Sequence, residues 1–132
     1  MKPEKDLFLR IKESVDSVKM IDIHSHVDCT HPHARSPRDI LFYHYIATEL
    51  KTAGIPPDSI SPSLPVEQAV KNALPYMSLI KNTSTHWCLM KMLKELYGFE
   101  HNEINKSNWK PLLEDIQKGT EQSNRHKWIL SE

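Results

Sequence analysis

The chain has 132 residues, one domain's worth of sequence, with 17 Lys and Arg set against 17 Asp and Glu. A formal net charge of zero leaves no field to gather nucleic acid or an anionic membrane, and no run of like charge forms a binding tail. The uncharged run Ile40 to Thr48 is far too short to span a bilayer, and no apolar stretch of signal-peptide length follows the charged first residues, so a soluble, cytoplasmic protein is expected.

Residues 3 to 19 have the spacing of an amphipathic helix, with Leu7, Phe8, Ile11, Val15 and Val18 on one face. The period then changes. Lys19-Met20-Ile21-Asp22-Ile23 is short, β-branched and apolar, which predicts one buried strand over about residues 20–26. A loop holding His31, Pro32 and His33 follows. Ser36 suits an N-cap, Pro37 the first helical position, and Asp39 the positive end of the helix dipole. That helix should run to about Ala53 and stop at Gly54. Prolines at 56, 57, 62 and 65 predict a connector with no helix in it.

A helix is expected to resume near Pro65 and to be kinked or ended at Pro75. A stronger one spans Ser84 to Tyr97, closed by Gly98, and its run of apolar residues from Trp87 to Tyr97 predicts burial on more than one side. Two more are expected at about 107–118 and 121–130. His86, His101 and His126 are expected on the surface, and Cys29 and Cys88, too few for a disulfide framework, as free thiols.

Eight histidines flag metal or proton chemistry. On a strand, alternate side chains share a face, so His24 and His26 would project together about 7 Å apart. Neutral imidazoles so placed can converge on one divalent cation, zinc above all. Asp22, on the same face, suits an outer acceptor that orients a ligand. The pair stands at the C-terminal end of an apolar strand, where parallel barrels build their active sites. His31 and His33 read as loop residues, their rival role being to complete a four-ligand zinc site with His24 and His26.

The segment from Ile21 to Val27, an apolar strand ending in Asp-x-His-x-His, resembles the first strand of the amidohydrolase superfamily. Tyr43-His44-Tyr45, on a helix ending in Thr52-Ala53-Gly54-Ile55, is similar to the His-Tyr segment of its uronate isomerase group. Residues 82–89 with Leu96-Tyr97-Gly98-Phe99 look like that group's inserted helical region. Where the group carries a Trp and an Arg after its His-Tyr pair, Ile46, Ala47 and Thr48 stand here.

The resemblance implies aldose–ketose isomerisation of a sugar acid, with His24 and His26 as metal ligands, His44 at the substrate and Tyr45 transferring a proton. For Tyr43, His44 and Tyr45 the residues alone equally allow plain aromatic packing. The fold expected is mostly α with one β-strand, the N-terminal fragment of a metal-dependent (β/α)8 TIM barrel with a helical insertion at about 56–118. A lone strand lacks pairing partners, and the chain stops just after Trp128, Ile129 and Leu130, so a truncated enzyme without activity of its own is expected. A metal-dependent hydrolase and a non-catalytic interaction protein are the alternatives. The expected partners are a small sugar acid and, for assembly, further copies of the same chain.

Overall fold

The computed structural model describes residues 3–19, 21, 23 and 34–121. Its α-helices are α1 (Pro3–Asp16), α2 (Pro37–Leu41), α3 (His44–Thr52), α4 (Val66–Met77), α5 (Ser84–Tyr97) and α6 (Trp109–Glu121), with a 3-10 turn at Pro57–Ile60. Among the described residues there is no strand, so the expected barrel fragment gives way to a small helical domain. Of the residues expected in the strand, Ile21 and Ile23 are described, and both are irregular, with 82 % and 94 % of their surface exposed. The physical reason is pairing. An extended segment is stabilised only when a neighbouring strand takes its N–H and C=O groups, and no strand offers that here among the described residues.

Local signals set the helix ends. The Asp39 carboxylate accepts from the backbone N–H groups of Ser36, at 3.0 Å, and Arg35, at 2.8 Å, at the start of α2. Gly54 after α3 and Gly98 after α5 take φ of 99° and 66°, the left-handed region where a side chain would be strained. Pro75 lies inside α4, and the helix ends two residues beyond it, at Met77. The connector after Gly54 holds one helical piece, the 3-10 turn, because Pro57 opens it where no N–H is required.

The helix expected from 37 to 53 is broken. Phe42 and Tyr43 separate α2 from α3, with Tyr43 extended at φ −47° and ψ 142°. Burial explains the break. Ile40 and Leu41 are in the core, and so are Ile46 and Leu50. At about 100° per residue, one continuous helix would put Ile46 about 240° around from Ile40, away from the same core. The joint lets both pairs turn inward.

The core runs from α2 to α6. α4 is central: it touches α2, α3, α6 and the 3-10 turn, while α5 packs on α3 and α6. Leu50, Ala69, Ala73, Leu93 and Ile116 are wholly enclosed. The small residues Ala69 and Ala73 let neighbours approach α4 closely. Before α6, the buried Asn108 donates to the Glu103 carbonyl and accepts from the Asn105 N–H, holding the loop that ends at Trp109.

α5 is less enclosed than its composition suggests. Leu89 and Leu93 face the core, but Trp87 and Leu96 are 63 % and 43 % exposed. Leu7, Phe8, Ile11 and Val15 on α1, and Val18 just after it, are all exposed. No helix among the described residues is long and apolar enough to cross a membrane.

Candidate functional site

Two of the expected site residues come together at the start of α3. Tyr43 is the N-cap, His44 the first helical residue and Tyr45 the second. Because Tyr43 is extended and His44 helical, three consecutive rings fold into one cluster. The Tyr43 and His44 centroids are 4.3 Å apart, His44 and Tyr45 4.0 Å, and Tyr43 and Tyr45 5.6 Å with their planes near perpendicular. All three side chains face solvent. The buried Ile46 and Leu50, on the far side of α3, hold the cluster at the domain surface. Such a group offers two phenols and an imidazole, suited to a polar ligand carrying hydroxyls.

Glu49 lies one turn after Tyr45 on the same side of α3. Its Oε2 accepts from the Thr83 hydroxyl at 2.5 Å, the short distance of a charge-assisted bond. Thr83 is the N-cap of α5. Its Oγ1 accepts from the His86 N–H at 3.2 Å and also lies 2.9 Å from the Ile80 carbonyl. One hydroxyl proton serves both acceptors, and the carboxylate is the nearer.

His86, expected on the surface, is 4 % exposed. Its spacing to Leu89 and Leu93 puts it on the buried stripe of α5. Burial pushes its pKa below the ordinary imidazole value, and the negative Glu49 pulls it back in part. His101 is exposed, as expected, with its ring 5.0 Å from that of Phe99. Cys88 is a free, exposed thiol.

His24 and His26, with Asp22, Cys29, His31, His33 and His126, lie outside the described residues. Among the described residues no cluster of three or more His, Cys, Asp or Glu is placed to hold a metal. The donor chemistry of His24 and His26 fits a divalent transition metal, but they are two donors, where a catalytic zinc takes three from the protein. Arg38, the arginine nearest in sequence to the aromatic cluster, is directed elsewhere. Its guanidinium donates to the Ile60 and Leu64 carbonyls at 3.3 and 2.6 Å and lies over the Phe42 ring.

Sequence reasoning missed the link between Glu49 and Thr83. Thr83 carries a readable signal, a hydroxyl residue directly before a helix. Glu49 carries none, since its partner is 34 positions away. No family model matches the chain, and no curated protein matches it significantly.

Proposed function

We propose that the chain supplies the metal-ligand pair and the substrate-facing aromatic segment of a metal-dependent isomerase that interconverts the aldose and ketose forms of a sugar acid. The observation supporting this is the exposed cluster at the start of α3, where the His44 and Tyr45 rings lie 4.0 Å apart above a buried anchor. In this reading His44 hydrogen-bonds a substrate hydroxyl. Starting as phenolate, the Tyr45 oxygen takes a proton from the carbon beside the carbonyl and, now as phenol, returns one to the former carbonyl carbon. The accompanying proton exchange between the two substrate oxygens balances the step. His24 and His26 would hold the metal, and the chemistry a bound divalent cation supplies is polarisation of the carbonyl. With two histidine ligands from this segment, the chain by itself is expected to turn over no substrate.

A specific observation favours a second reading. The open apolar stripe of α1, from Leu7 to Val15, suits a non-catalytic interaction protein whose helix packs on another surface. Zinc titration against a chromophoric chelator separates the two. The isomerase reading expects zinc uptake by the chain that is lost in both His24→Ala and His26→Ala. Unchanged uptake in those variants refutes the ligand assignment, and no uptake at all leaves the interaction reading in the lead. In a metal-loaded assembly with turnover, a ketose formed without incorporation of solvent oxygen marks the isomerase. A cleaved product marks a hydrolase.

A further inference from the structure

An aldose sugar acid carries its carbonyl at one end and its carboxylate at the other. A cation that grips the carboxylate must therefore stand off from the residues that handle the carbonyl carbons, on the same open face. Arg38 is not that cation, since its guanidinium is committed to the Ile60 and Leu64 carbonyls.

α3 itself offers a cation at the required separation. Lys51 follows His44 by two turns, which places it about 20° around the helix axis from His44 and about 10 Å further along it. Both residues are exposed, on the side of α3 away from the buried Ile46 and Leu50. Long side chains on a helix lean toward its N-terminus, which favours the ammonium reaching back toward His44. Thr48 stands between them. Its side chain is short and its hydroxyl donates to the His44 carbonyl at 2.8 Å, so on α3 nothing tall separates the imidazole from the lysine.

The charges beside the aromatic cluster set a direction. Glu49 flanks Tyr45 on the side opposite His44, with its carboxylate bonded to Thr83. An anionic ligand lying over His44 and Tyr45 is repelled from that flank and drawn toward Lys51. Lys12, Lys91, Lys94 and Lys118 pair with carboxylates on their own surface, whereas Lys51 pairs with none among the described residues. A cation in the last turn of α3 also answers the helix dipole, but that role is indifferent to the ligand.

We propose that Lys51 is a specificity-determining residue, its ammonium binding the substrate carboxylate and so selecting a sugar acid over the corresponding neutral sugar. The inference deepens the isomerase reading and rests on it for the placing of the reacting carbons at Tyr45.

The test uses the 132-residue chain. Glucuronate and glucose are titrated into the chain and into its Lys51→Gln and Lys51→Arg variants, and binding is followed by the ring resonances of His44 and Tyr45. Glucuronate is expected to bind about threefold more weakly to Lys51→Gln, within the range of an exposed ion pair, and to recover in Lys51→Arg. Glucose is expected to bind more weakly than the acid and to be indifferent to both substitutions. Glucuronate affinity that is unchanged in Lys51→Gln overturns the proposal and leaves the isomerase reading standing. Equal weakening for the two sugars overturns it as well, because the lysine then does not read the carboxylate. No response of the His44 and Tyr45 resonances to either sugar overturns the proposal together with the substrate role of the cluster. Zinc uptake by the same samples reports on the metal part of the isomerase reading by itself, because neither variant touches His24 or His26.

Discussion

The guanidinium of Arg38 donates to the backbone carbonyl of Leu64 at 2.6 Å, joining α2 to the segment that leads into α4. A second nitrogen of the same group reaches the Ile60 carbonyl at 3.3 Å. Ile60 ends the 3-10 turn and Leu64 lies in the irregular stretch before α4, so both carbonyls stand where a helix ladder does not continue, and the arginine takes its place.

Arg38→Ala is therefore expected to destabilise the domain by about 2 kcal/mol, the range for hydrogen bonds to a charged group. Arg38→Lys should recover less than half of that loss, since a single ammonium cannot reproduce the planar fork. Urea denaturation followed by far-UV circular dichroism measures both. A loss of a few tenths of a kcal/mol in the alanine variant would show that the connector is held by other means.

Leu93→Ala should cost about 2–5 kcal/mol, because Leu93 is fully enclosed between α5 and its neighbours. Leu7→Ala, on the open face of α1, should stay within about 0.5 kcal/mol. Similar losses at the two positions would mean that α1 is covered in solution, and the comparison thereby also probes the interaction reading.

The helix punctuation was legible because it is local. Ser36, Pro37 and Asp39 start a helix where their chemistry suits a start, and Gly54 and Gly98 take the positive φ expected of residues that end one. The strand expected around Ile21 and Ile23 was not so determined. β-branched residues favour a strand only where a half-buried sheet awaits them, and that is a property of the surroundings. The break at Phe42–Tyr43 and the burial of His86 likewise follow from which face meets the core. Of the candidate site, His44 and Tyr45 were legible as a pair, but their link to α5 through Glu49 and Thr83 depends on a contact between distant segments.

The burial of His86 has a pH signature. Its pKa in the folded chain lies below the ordinary value of about 6.5, chiefly because burial disfavours the imidazolium. As pH falls, the unfolded chain takes up the proton first. Stability is thus full above the ordinary value and declines as pH drops through it toward the folded value. The urea midpoint is expected to fall between about pH 7 and pH 5, and to fall less steeply in His86→Phe. A slope that is the same in both proteins would remove His86 as its cause.

The joint at Phe42–Tyr43 has a consequence for how this surface can change. It divides a stretch that would otherwise be a single rod into two pieces with separate registers. An added residue at the joint can be absorbed as slack, leaving α2 and α3 each seated as before. The same addition between Tyr45 and Glu49 would swing the phenol about 100° relative to the carboxylate that faces Thr83. Length is therefore free to drift just before the aromatic cluster and is fixed just after it, which makes the joint the place where the cluster's distance from α2 can be tuned without disturbing the helix that carries it.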